Sequence, residues 1–251
     1  MNEAAENGWD VRKIAVAFDP ACGATSLLDA AAEWAALLGA ELEACFVDDP
    51  DIGRLAGLPF GRIIDPGSGR SMLFDAAALQ SRRAGLAARS RASLRRLSKI
   101  HRFGYSVRDL PGAALMEVEA QSTAELLIVA AFHGKFGGTR AIDEDAVEMA
   151  SRSARSVLLV AQFPVSMNNI LVVADDGPAG RRAERLAALL AGRANVRVTA
   201  LEPAGVAGED LAATVRNAGP SLVIIGLSDT ELTASLQRAL KHETFSLLAV
   251  R

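Results

Sequence analysis

Few stretches of this chain combine residue types able to do chemistry. The richest is His133-Gly134-Lys135-Phe136-Gly137-Gly138. Its glycines permit backbone conformations closed to other residues, and its imidazole and ammonium groups can meet an anion. Carboxylates cluster at Asp48, Asp49 and Asp51 and at Asp175-Asp176, each just after an apolar run. Such clusters either hold Mg²⁺ or are solvated strand ends. Cys22 precedes a helix start that can lower a thiol pKa. Together, Cys22 and Cys45 fit no zinc spacing and no disulfide framework, and read as two reduced thiols. His101, His133 and His242 are far apart, and no G-x-S-x-G elbow, H-E-x-x-H pair, C-x-x-C or P-loop occurs. The residues on offer suit binding better than turnover, and an enzyme is not expected.

The elements around these residues decide where they sit. Leu126 to Ala131 is an apolar run without polar alternation, as expected of a parallel strand covered on both faces. The glycine segment follows it, Asp143 or Glu144 can cap a helix through about Ser153, and Val157 to Val160 is the next strand. In open α/β sheets ligands sit at the carboxyl ends of strands, where helix N-termini attract anions.

Upstream, Ile14 to Phe18 reads as a strand, Thr25 to Leu38 as a helix stopped by Gly39, and Glu41 to Val47 as a second strand. Strand, helix and strand within about 35 residues make a βαβ unit with a right-handed crossover. Residues 51 to 74 are rich in Gly and Pro and read as a long loop able to cover a crevice or meet a partner. Asp75 to about Arg102 reads as a long helix carrying Arg82, Arg83, Arg89, Arg91, Arg95, Arg96, Lys99 and Arg102. It is either a solvated basic face or a docking surface for an acidic partner or nucleic acid. No aromatics interleave with its arginines, so base stacking has no support. A third strand, Tyr105 to Leu110, and a helix, Ala113 to Gln121, complete five strands and four helices by Gln162.

The 251 residues include 50% hydrophobic side chains, enough for a sizeable core, with a net charge of -3. That balance exerts no global pull on nucleic acid or anionic membrane. The acidic, polar N-terminus lacks the apolar core of a signal peptide, and no run is long enough for a membrane helix. A cytoplasmic location is expected.

The second part of the chain repeats the first. Lys13 to Asp19 aligns with Asn169 to Asp175 at an offset of 156, and the helix Ala179 to Ala191 and strand Val196 to Leu201 follow in step. Ile128 then matches Ile224 at an offset of 96, and Ser156 matches Ser246 at 90. The second copy therefore lacks about 60 residues, the size of the long loop, basic helix and third strand, and a helix from Glu209 to Asn217 stands in their place. The expected fold class is α/β with two tandem open parallel sheets, a complete unit over 1–163 and a shortened one over 164–251.

These pieces resemble a tandem universal stress protein: IAVAFD, LLDAAAEWAALLGAEL, ACFVDDP, LLIVAAFHGKFGG and SRSARSVLLV each look like the family's successive elements. The resemblance implies strand order 3-2-1-4-5 and pairing of the two domains through their last strands. Many members bind ATP across the first and fourth strands, with an Asp at the end of the first strand and the phosphates in a loop resembling G-x2-G-x9-G-[ST]. Asp19 matches that Asp, Val47 the hydrophobic contact after strand two, and Gly134 and Gly137 the first two glycines. The cofactor implied is ATP or AMP, in a crevice of Asp19, Val47, Ala130, Phe132, His133, Gly134, Gly137 and Gly138.

The loop then departs from that pattern. Ten residues past Gly137 stand Val147-Glu148, and aligning backward from the next strand puts Asp143-Glu144 there. Either register sets a carboxylate where a phosphate would lie, and acids at a helix start satisfy its partial positive charge internally. Ala131 also replaces the glycine usual after the fourth strand. In the second copy Asp175 is kept, but Gly226-Leu-Ser-Asp-Thr-Glu-Leu-Thr carries one glycine and two acids, so that copy reads as structural. The expectation is a stress-response or regulatory protein acting by binding. Its partners would be another protein, a second copy of itself or an adenine nucleotide; nucleic acid and membrane are not favoured. The alternatives are a nucleotide-binding protein with slow ATP hydrolysis or AMP sensing at the N-terminal crevice, and an interaction scaffold without a small ligand that uses the basic helix and the loop 51 to 74.

Overall fold

The computed structural model describes residues 11–18, 25–47, 62–64, 69–73, 76–110, 115–130, 132–134, 140–142, 146, 150, 152–160, 168–201, 213–215, 217–226 and 245–251. Apolar runs without alternation form its central strands. In the N-terminal half these are β1 (Lys13–Phe18), β2 (Glu41–Val47), β5 (Tyr105–Leu110), β6 (Leu126–Ala130) and β9 (Ser156–Val160). The C-terminal half contributes β10 (Asn169–Ala174), β11 (Arg197–Leu201), β12 (Leu222–Gly226) and β13 (Ser246–Ala249). The helices are α1 (Thr25–Leu38), α2 (Ala76–His101), α3 (Leu115–Gln121) and α4 (Pro178–Ala194).

All nine strands join one sheet, in the order β11-β10-β12-β13-β9-β6-β1-β2-β5. The N-terminal strands follow the 3-2-1-4-5 sequence, and the C-terminal ones keep 2-1-4-5. The two expected sheets are continuous through their last strands, the pairing that the resemblance implies: β13 and β9 run antiparallel with Leu248 opposite Leu158. Each half is internally parallel, so this seam sets the carboxyl ends of the two halves at opposite edges of the slab.

Helices cover both faces. α1, α2 and α4 lie on one, where Leu28, Trp34, Leu94 and Leu190 pack with Ile14, Val16, Ile128 and Ile224. The other face buries Val118 of α3, the helical residues Ala146 and Ala150, and Val215 against Ala15, Leu127, Val157 and Leu247. Burying a Leu or Ile side chain contributes about 1.5–3 kcal/mol, so the two apolar layers dominate the stability. α1 ends through Gly39 at φ +71°, and α4 through Asn195 at φ 54°, whose N–H reaches Ala191 O. Both use the left-handed conformation that satisfies a last-turn carbonyl.

Two stretches differ from the sequence reading. Within the expected loop 51 to 74, β3 (Arg62–Ile64) pairs antiparallel with β4 (Ser71–Leu73). The glycine segment expected to be a loop opens as a strand: β7 (Phe132–Gly134) pairs antiparallel with β8 (Arg140–Ile142). Three-residue strands rich in Gly or Arg leave no periodic signal, which is why they read as loops.

The amino ends of the strands show the repeat at atomic detail. The Lys13 N–H donates to Glu125 Oε2 at 2.8 Å, and the matching Asn169 N–H donates to Ser221 Oγ at 3.2 Å. Glu43 is buried beside the first of these sites. Lys13 Nζ lies 3.1 Å from its Oε1, Arg108 Nη1 3.7 Å, and Ser122 Oγ donates to its Oε2 at 2.8 Å. A buried carboxylate is tolerated because cations and a hydroxyl replace its water.

Candidate functional site

The crevice expected from the sequence would lie at the carboxyl ends of β1, β2 and β6. Val47 ends β2 and is buried, and Ala130 ends β6 partly exposed. Phe132, His133 and Gly134 form β7 directly after it, opposite Ile142, Ala141 and Arg140. This hairpin commits backbone groups to a cross-strand partner that a phosphate-cradling loop would hold free. Asp19, Gly137 and Gly138 lie outside the described residues, as do Lys135, the acids Asp143 to Asp145, Cys22, His242 and the cluster Asp48 to Asp51.

A cluster that the sequence reading missed stands at the same end. Phe18 and Phe46 meet edge to face with centroids 4.8 Å apart. The Arg91 guanidinium of α2 lies 4.9 Å over the Phe46 ring and donates to both carboxylate oxygens of Asp109, at 2.5 and 2.6 Å. Arg91 was read with the basic face of its helix. It instead reaches back over the ends of β2 and β5 and ties α2 to them. A cation above a ring is attracted by its quadrupole, and a forked carboxylate contact fixes its plane. Nothing in the local sequence links positions 46, 91 and 109.

In the C-terminal half α4 packs backbone against the strand ends. A Cβ on Gly180 would stand 1.8 Å from Asp175 O, and one on Gly226 would stand 2.4 Å from Ala179 O and 2.6 Å from Ala183 Cβ. The first turn of α4 therefore rests directly on the ends of β10 and β12. Asp175, the match of Asp19, accepts the Gly177 N–H at 2.9 Å and shapes the turn into α4. At the sequence positions matching Gly180, Gly226 and Ala183 the N-terminal half carries Ala24, Ala130 and Leu27, each larger. Where α4 lies close along β12, α1 packs over β1, β2 and α2 and touches β6 only sparsely.

Cys45 is buried on β2, and burial, followed by the nearby Glu43 charge, pushes its thiol up to about 11. It stays protonated and unreactive at neutral pH. Among the described residues, no group of three or more His, Cys, Asp and Glu side chains could hold a metal ion, and no helix is long and apolar enough to cross a membrane.

No protein-family model matches the chain, and comparison with curated proteins found no match. Solved structures do match. A universal stress protein from Archaeoglobus fulgidus DSM 4304 is similar with a TM-score of 0.61 over 95% of this chain and 96% of its own, at 10% identity. A functionally unknown protein from Pseudomonas aeruginosa PAO1 is similar with a TM-score of 0.56 over 98% and 94%, at 13% identity. The chain is thus an α/β protein built on one mostly parallel sheet. Its fold is that of the universal stress proteins, over nearly the whole length.

Proposed function

We propose that this protein is a non-enzymatic regulator of the universal stress protein type, acting by binding, with a single ligand crevice in its N-terminal half. The observation that carries this reading is the contrast at the strand ends. Gly180 and Gly226 seat α4 against the C-terminal strands, while the matching positions of the N-terminal half carry the larger Ala24, Ala130 and Leu27. The C-terminal half then serves as a structural partner that completes the sheet.

An adenine nucleotide is the ligand class that the fold and Asp19 favour. The carboxylates of Asp143, Glu144 and Glu148 favour the member with fewest phosphates, because each added phosphate brings further repulsion within a Debye length. The chain carries no P-loop, and this reading expects ATP to be bound without turnover.

Native mass spectrometry with AMP, ADP and ATP, run beside a phosphate-release assay, tests both parts. The reading expects one nucleotide per chain, AMP held more tightly than ATP, and no phosphate release above the buffer rate. Sustained ATP hydrolysis would overturn the non-enzymatic reading, and two nucleotides per chain would overturn the single crevice.

A further inference from the structure

The outward side of α2 is a cationic strip without compensation. Arg82, Arg89, Arg95, Arg96, Lys99 and Arg102 are all exposed there and make no ion pair among the described residues. Arg91, turned inward to Asp109, and the half-buried Arg83 are the exceptions that mark which side faces out. At 100° per residue, Arg82, Arg89 and Arg96 lie close to one line about 10 Å apart, and Arg95 and Arg102 form a second line. Between the lines the exposed Gly85, Ala88 and Ala92 keep the surface low, and Ile100, 58% exposed, adds an apolar contact at one end.

This arrangement works against the isolated helix. Arg95 and Lys99 are four apart, and Arg96, Lys99 and Arg102 three apart, spacings at which like charges repel. No acid occurs anywhere in Ala76–His101 to offset them. Residues 76–102 hold eight of the chain's 27 cationic side chains and none of its 30 acids, so the remainder carries 19 cations against 30 acids. A net charge of -3 thus hides a strongly basic strip on an acidic body.

We propose that this face docks an acidic polypeptide segment of a partner protein, with its carboxylates spread over about 30 Å, the length of residues 82 to 102 at helical rise. A nucleic acid duplex fits less well. It carries a charge every ~1.7 Å, far denser than arginines set about 10 Å apart along each line, and the helix offers no aromatic ring for bases. A polypeptide can match the strip, end with it, and use Ile100 as an apolar anchor. The proposal does not depend on what the crevice binds, since none of these side chains belongs to the candidate site.

The test uses the full-length protein and two labelled probes, a 20-residue poly-glutamate and a 20-base-pair DNA duplex, followed by fluorescence anisotropy at low and high salt. The protein should bind poly-glutamate more tightly than the duplex, and binding should weaken as salt rises. The triple variant R89E/R95E/R96E should lose about tenfold or more in affinity, while R197E, a reversal on the exposed strand β11, should change it little. Circular dichroism establishes folding, and R89Q/R96Q replaces the triple variant should that one not fold, with a smaller loss expected. Preference for the duplex, absence of poly-glutamate binding, or binding indifferent to the α2 variants would each overturn the proposal.

Discussion

The two halves of the molecule repeat one pattern and solve its ends differently. In the N-terminal half β5 and α2 extend the sheet past β2, and a charged cluster at Glu43 secures the amino ends of the strands. In the C-terminal half β11 is the last strand, with four of its five residues exposed, and the amino ends are held by the neutral pair Asn169 and Ser221. At the carboxyl ends the order reverses. The shortened half packs backbone on backbone through two glycines, and the complete half has larger residues at each matching position. On the proposed reading, the C-terminal copy completes the sheet and the N-terminal copy holds the ligand.

The comparison can be broken at its tightest contact. Gly180→Ala places a methyl 1.8 Å from Asp175 O, which only a shift of α4 relieves. It should cost about 3 kcal/mol, the upper end for overpacking, in urea denaturation followed by circular dichroism. Gly226→Ala should cost about 1–3 kcal/mol on the same grounds, whereas Ala130→Gly in the other half should cost no more than about 1 kcal/mol, the strand penalty for glycine. Equal losses at positions 130 and 226 would mean the halves do not differ in packing. Glu43→Gln keeps the hydrogen-bonding shape and removes the charge. A loss of about 1–2 kcal/mol is expected, less than for a fully buried pair because Lys13 and Arg108 reach solvent. The smallest effect concerns pH. The folded-state pKa of Cys45 lies at about 11, above its ordinary value near 9. The folded state therefore holds this proton more tightly than the unfolded chain. Its contribution is complete below pH 9 and lost as pH rises through 11. Relative to Cys45→Ala, the parent protein should lose stability across that window and match it in slope below.

How much of this was legible depended on the kind of residue. β1, β2, β6, β9, β10, β12 and β13 could be read because strands buried on both faces need unbroken apolar runs such as LLIVA and SVLLV. Repeat offsets then marked the crossover that the second copy lacks. The hairpins β3–β4 and β7–β8 were not legible, since their pairing is set by chain geometry and not by a hydrophobic face. Arg91 could not be told from its neighbours on α2, because its inward turn depends on Phe46 and Asp109, distant in sequence. Of the candidate site, Val47 and Ala130 lie at strand ends and Phe132 to Gly134 in the backbone of β7. Nor could the tight glycines be foreseen: a sequence shows where a Cβ is missing but not what would strike it.

The claim that one crevice, in the N-terminal half, does the binding is tested most directly by calorimetric titration with AMP of the parent protein, Asp19→Ala and Asp175→Asn. The account predicts one site per chain, abolished by Asp19→Ala and retained in Asp175→Asn, whose side-chain oxygen still accepts the Gly177 N–H. Two sites per chain, or a site lost with Asp175→Asn and kept with Asp19→Ala, would contradict it.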